Sequence, residues 1–216
     1  MSRRSLWSGG WLLIALSSLA HPLYAGEDAE SILSKLQKKY STIKDASVTF
    51  RREVKFGVTH SQQEAEGRLL MKKGNRYRLE LEEQTIVTDG KLVWSYTKAN
   101  NQVLIDKYKE NSQTLTPDKV LVSIPNDYSA VMLGKEKVQE KETTILKLVP
   151  KSTKTSLRWM KVWIDEDDWL MKRVQILDIS DNLMTYAIQD AKLNTGLADS
   201  QFQFDAPPDA EVIDLR

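Results

Sequence analysis

The sequence has no cysteine, and that absence excludes more than any other single feature. There is no thiol nucleophile, no thiolate metal site and no disulfide. Nor is there a cysteine on which acyl chains could be built at a processed N-terminus, so membrane anchoring by that route is excluded. Histidine is scarce: there are two, His21 and His60. Glycine and proline are sparse at 9 and 6. No Gly-rich phosphate loop, GxSxG elbow or HExxH helix is present. Residues 11–16 are apolar but fall well short of the roughly 20 residues that span a bilayer. Neither charge is in excess, with 31 basic and 30 acidic residues. The overall balance therefore argues against nucleic acid and against an anionic membrane surface.

What is present begins with an export pattern. Arg3 and Arg4 stand alone as charges in residues 1–25, followed by the apolar stretch and the small residues Ser17, Ser18 and Ala20. A basic start, a short apolar core and a small-residue exit predict a removable signal peptide over 1–25, leaving one domain over 26–216. Cleavage is expected after Ala25, with Ala20 as the alternative. Arg3-Arg4 is read as an ordinary basic start, ahead of a twin-arginine signal. The expected location is the periplasm.

The mature start predicts an amphipathic helix. Ile32, Leu33, Leu36, Tyr40 and Ile43 recur at helical spacing, and Asp28 stands where a cap belongs. Short strands are predicted at 48–51, 67–73, 76–82, 86–88, 92–96 and 103–105, then at 145–149, 157–165, 169–178, 183–192 and 201–204. Gly74-Asn75 and Asp89-Gly90 are turn signals between them. Thr116-Pro117-Asp118 opens a second, short helix carrying Leu121 and Ile124. Strands joined by hairpin turns imply a mainly β, mostly antiparallel sheet covered by an early and a mid-chain helix.

Chemistry is hard to find. His60 is read as a solvated loop residue, since it has no thiol or recognisable triad to serve as base. A hydrolase is accordingly disfavoured, and no cofactor or metal is expected. The acidic run from Asp165 to Asp168 lacks the glycine and distal glutamate of a calcium loop, so a solvated hairpin turn is expected there. Trp94, Trp159, Trp163 and Trp169 fall in predicted strands, where they read as core or as the wall of a ligand space.

Five segments carry a resemblance, in order along 28–214. They are Val48-Thr49-Phe50; Gly67-Arg68-Leu69-Leu70-Met71-Lys72-Lys73-Gly74-Asn75-Arg76-Tyr77-Arg78; Val87-Thr88-Asp89-Gly90-Lys91-Leu92-Val93-Trp94-Ser95-Tyr96; Leu146-Lys147-Leu148-Val149-Pro150-Lys151; and Phe202-Gln203-Phe204-Asp205-Ala206-Pro207-Pro208, with Glu211-Val212-Ile213-Asp214 behind it. In this the chain resembles the periplasmic outer-membrane lipoprotein carrier proteins, LolA. The resemblance implies an incomplete, strongly curved antiparallel β-barrel with helices lidding a hydrophobic cavity. It implies a chaperone, not an enzyme. Such a carrier, expected to be monomeric, takes acylated lipoprotein cargo from an inner-membrane lipoprotein-releasing ABC transporter to an outer-membrane lipoprotein acceptor. The acceptor itself is a lipoprotein, which the missing cysteine excludes here. A carrier or sensor of another envelope lipid or glycolipid with the same fold stays open as an alternative.

The resemblance and strand alternation together nominate a cavity wall. From the helices come Leu33, Leu36, Leu121 and Ile124. From the strands come Val48, Phe50, Leu69, Met71, Tyr77, Leu79, Leu81, Leu92, Trp94 and Tyr96. The family often has Arg-Pro where this chain has Lys73-Gly74. Lys73 is expected either to reach carbonyls of the lid, without the planar fork of arginine, or, like Lys72, to face water.

Overall fold

The computed structural model describes residues 28–109, 128–153 and 155–216. The signal segment and the expected helix with Leu121 and Ile124 lie outside the described residues. One α-helix, α1 (Ala29–Ser41), precedes twelve strands. These are β1 (Asp45–Lys55), β2 (Gln62–Lys72), β3 (Arg76–Leu81), β4 (Gln84–Asp89), β5 (Leu92–Thr97) and β6 (Gln102–Lys107), then β7 (Tyr128–Val138), β8 (Lys141–Pro150), β9 (Leu157–Asp165), β10 (Leu170–Asp178), β11 (Leu183–Leu193) and β12 (Glu211–Asp214). They form a single open, curved sheet in the order β12-β6-β5-β4-β3-β2-β1-β11-β10-β9-β8-β7. Every pairing is antiparallel except β12 against β6. The incomplete barrel expected from the resemblance is what the chain forms.

Local chemistry explains the helix. Asp28 accepts a hydrogen bond from Ser31 N at 2.7 Å, capping the first turn. Glu30 lies in the first turn and Lys38 and Lys39 in the last, each sign facing the complementary end of the helix dipole. Ile32, Leu33, Leu36 and Tyr40 make one buried stripe. It packs against Val48, Phe50, Leu69 and Leu79 from one half of the sheet and Leu146, Met160, Val162, Val174 and Ile176 from the other half. The main core therefore fills the concave face, under α1.

A second, smaller apolar layer covers the opposite face. After β11 the chain runs back across the outside of the sheet, through a 3-10 turn (Asp199–Phe202), to reach β12. Phe202 is fully buried there, as are Val87 and Val103, with Leu70 nearly so. The predicted strand at 201–204 is thus corrected: Gln201 and Phe202 belong to the turn, because Phe202 is needed as a plug on the convex face. Lys72 holds this strap, donating to Leu197 O at 2.7 Å and pairing with Asp199 at 2.5 Å, which Arg76 also meets at 2.7 Å. Lys72 does not simply face water.

β7 was not predicted. Its Val131-Met132-Leu133 run has no alternation, and the register breaks between Met132 and Gly134, which adopts a φ of 125°.

Two glycines permit close contacts. A Cβ on Gly67 would come within 2.5 Å of Phe50 Cζ, so the glycine makes room for the ring that meets Tyr186 edge-on at 5.6 Å. At Gly57, between β1 and β2, a Cβ would fall 2.5–2.7 Å from the Cβ and carbonyl of Asp181. Backbone cannot swing aside, so Gly57→Ala is expected to cost about 1–3 kcal/mol. A urea titration checks this; an unchanged midpoint would show the two loops free to part.

Candidate functional site

Side chains of directly paired residues lie on the same face of a sheet. Following the register across the strands therefore sorts the nominated cavity residues. Val48 pairs with Leu69, Leu69 with Leu79 and Leu79 with Ile86. Met71 pairs with Tyr77, and Gly67 with both Phe50 and Leu81. These residues form one contiguous concave surface with Leu33 and Leu36 of α1. Gly67, Met71, Leu81 and Ile86 are its half-buried members and the others are buried.

Leu92, Trp94 and Tyr96 do not join them. They share a face, as alternation requires, but Trp94 pairs with Val87 and Ile105, and Tyr96 with Thr85 and Val103. That is the convex side. Tyr96 meets Phe204 of the strap at a ring-centroid distance of 6.0 Å. The expectation that these three line the cavity is corrected: they lie on the convex face, where Tyr96 meets the strap.

Trp159 and Trp163 are likewise outside. Trp163 pairs with Ile145 and Arg173, donates to Glu136 Oε2 at 2.8 Å and lies 5.2 Å beneath the Arg173 guanidinium. The same carboxylate accepts from Arg173, and these two bonds, against its partial burial, hold Glu136 below the usual carboxylate range.

Sequence reasoning missed the second half of the concave wall. Ile188, Val174, Ile176, Met160, Val162, Leu146 and Leu148 are all buried in the same cluster as Leu36. The signal was available in the alternation of Leu146-Lys147-Leu148, Val174-Gln175-Ile176 and the strands between them.

The lid is tied to the sheet by polar contacts along its length. Glu30 accepts from Ala130 N at 3.0 Å, covering a backbone donor of the edge strand β7. Tyr40 Oη accepts from Met171 N at 2.9 Å, where a register shift between Met171 and Arg173 breaks the β9–β10 ladder. Burial pushes the Tyr40 phenol up, outweighing that hydrogen bond, with the nearby Asp168 charge acting in the same direction as burial. The phenol therefore stays neutral. Lys73 Nζ donates to Ser41 O, the end of the helix, at 3.0 Å. Of the two expected positions for Lys73, the structure shows the lid contact, made with a single donor.

The expected hairpin turn forms between β9 and β10, but its first carboxylate departs from expectation. Asp165 is 1% exposed rather than solvated, with Oδ1 accepting from Asp167 N at 3.0 Å and Oδ2 facing Lys172 at 3.4 Å and Lys141 at 3.9 Å. Two ammonium groups occupy the place a cation would take. Among the described residues no group of three or more ligating side chains could hold a metal ion.

At the end of the sheet away from Lys73, the concave surface reaches solvent. Leu81 and Ala65 floor a groove of 400 Å³ edged by Arg52, Gln63, Glu83 and Gln84. Tyr186, paired with Arg52 across β1 and β11, has its phenol raised by burial against the opposing Arg52 charge. Among the described residues, one amphipathic helix fills the apolar concavity, which reaches solvent at one rim.

The comparisons agree. The family described as "Outer membrane lipoprotein carrier protein LolA" matches residues 41–205, and the chain belongs to that family. An outer-membrane lipoprotein carrier protein of Haemophilus influenzae is 25% identical over 219 residues, covering 100% of this chain and 99% of the relative. Uncharacterized protein MJ0687 of Methanocaldococcus jannaschii is 26% identical over 94% of this chain, which spans 60% of that relative's length. An uncharacterized conserved protein from Thermus thermophilus shares the fold, with a TM-score of 0.56 at 19% identity over 86% of this chain and 98% of that one.

Proposed function

We propose that this protein is a periplasmic chaperone that carries the acyl chains of lipoproteins from the inner to the outer membrane. The observation that carries this reading is the seating of Leu33 and Leu36 among Val48, Phe50, Leu69 and Leu79. The lid fills the concavity with side chains of the same chemistry as an acyl chain. Cargo can replace those contacts once α1 lifts, at no loss of buried apolar area. Burial of an acyl chain contributes about 0.8 kcal/mol per CH₂. An emptied concavity therefore holds a chain firmly, while a lid that competes for the same surface keeps release possible.

Family membership supports lipoprotein cargo. Collection from a lipoprotein-releasing ABC transporter, delivery to an outer-membrane acceptor, removal of residues 1–25 and a monomeric state belong to the same proposal. Protein recovered from its host's periplasm is expected to carry acylated polypeptide, seen by organic extraction and mass spectrometry. Repeated recovery of none, together with no cargo in a trapped transfer assay, would remove the reading. Recovery of free glycolipid or phospholipid in its place would change the cargo class.

A further inference from the structure

Balanced overall, the chain is not balanced locally. Lys35, Lys38 and Lys39 recur at i, i+3 and i+4 on α1, apart from its apolar stripe, with the C-cap Thr42 following at i+7. With Trp169 they line a groove of 320 Å³. Trp169 lies between β9 and β10 with a φ of 56°, a left-handed conformation uncommon for a bulky side chain. Lys35 Nζ stands 5.2 Å from the centre of its ring. Among the described residues, no carboxylate lines the groove. The adjoining Asp168 is engaged elsewhere, by Lys172 Nζ at 3.0 Å and Leu170 N at 2.9 Å.

One more exposed cation reaches the same end of α1. Lys73 donates its ammonium to Ser41 O, and its backbone N–H to Lys44 O at 2.9 Å. Like charges at i,i+3 and i,i+4 oppose helix formation, and the dipole at the helix end offsets this only in part. An anion outside the chain would answer the charges of Lys38 and Lys39. The flat apolar indole specifies more than an anion: aromatic rings beside lysines suit the boundary between headgroups and acyl chains.

We infer that this groove docks the protein on the surface of an anionic phospholipid bilayer, lysine ammoniums on phosphates and the Trp169 indole at the headgroup boundary. The inference stands on the groove alone and does not require the carrier reading.

Co-sedimentation of the exported protein with vesicles tests it. Wild type is expected to bind vesicles of phosphatidylcholine with phosphatidylglycerol at least about tenfold more tightly than phosphatidylcholine alone, and to weaken as salt rises. The combined Lys35→Gln, Lys38→Gln and Lys39→Gln variant should lose about tenfold or more with an unchanged unfolding midpoint. Should it misfold, Lys38→Glu, at an exposed position, carries the same test. Trp169→Phe should abolish the blue shift of tryptophan emission on vesicle binding. Equal affinity for neutral vesicles, or wild-type binding by the lysine variants, would overturn the inference. So would capture by polyglutamate without binding to vesicles, since the partner would then be an acidic protein surface.

Discussion

Asp45→Asn is expected to lower the unfolding free energy by about 2–3 kcal/mol at pH 7. Asp45 is 4% exposed and opens β1. Its Oδ1 accepts from Thr195 N at 2.8 Å, Thr195 Oγ1 at 3.2 Å and Gly196 N at 3.2 Å, and its Oδ2 from Gly196 N at 3.1 Å. Asparagine keeps one acceptor oxygen and turns an NH₂ toward groups that are themselves donors. The segment held this way is the start of the convex strap, so Phe202 loosens along with it.

The effect carries a pH signature. Burial raises the Asp45 carboxyl, but the hydrogen bonds from Thr195, Gly196 and Leu197 prevail and hold it below the usual range. A group whose folded value is depressed stabilises fully above its unfolded value, about pH 4 for aspartate, and loses that contribution as pH falls through the folded value. The gap between wild type and Asp45→Asn should therefore be widest near neutrality and close below about pH 4. Urea titrations at pH 7 and pH 3, followed by tryptophan emission, measure it. A gap that holds or widens in acid would contradict the assignment.

Leu36→Ala should have the second large effect, in two measurements that move in opposite directions. Leu36 is fully buried at the middle of α1. Truncating a buried leucine costs about 2–5 kcal/mol, more where the site cannot collapse. The sheet does not need α1 for its own hydrogen bonds, so much of that loss should fall on the seating of the lid. Amide exchange in α1 should then quicken by roughly a hundredfold while the β1–β2 and β8–β9 ladders change less. If the lid competes with cargo, a fluorescent acyl probe should bind the variant more tightly, because less is lost in lifting the helix. Probe affinity that falls in step with stability would instead make Leu36 part of the binding wall.

The elements legible in the sequence were those whose burial has a simple period. The stripe of α1, the Asp28 cap, the turn at Gly74-Asn75 and the limits of β9 all follow from residue spacing and agree with the structure. The face assignment of β5 did not follow. Leu92, Trp94 and Tyr96 were correctly read as alternating, yet period two identifies only which residues share a side. Which side that is depends on register, and a step of one residue reverses it. Here both sides of the sheet are covered, the concave by α1 and the convex by the strap. Apolar alternation could thus point either way. The strap itself was hidden for a related reason: Phe202 and Phe204 alternate as a strand would, but they plug the sheet from outside. β7 escaped because Gly134 interrupts its register.

The pairing of β1 with β11 has a consequence for the order in which the molecule comes together. Contacts such as Thr195 N to Asp45 join residues 150 apart in sequence. Closing so long a loop is entropically costly, and folds dominated by distant pairings form slowly. Both neighbours of β1 are needed to pair its two edges, and one of them, β11, begins at Leu183, long after β1 ends at Lys55. The β1–β6 half can zip by successive hairpins, but its joint to the β7–β11 half must await almost the whole chain. Until then the β1 edge is an open template for pairing with other chains. A polypeptide with this connectivity stays largely unjoined until β11 is available to β1.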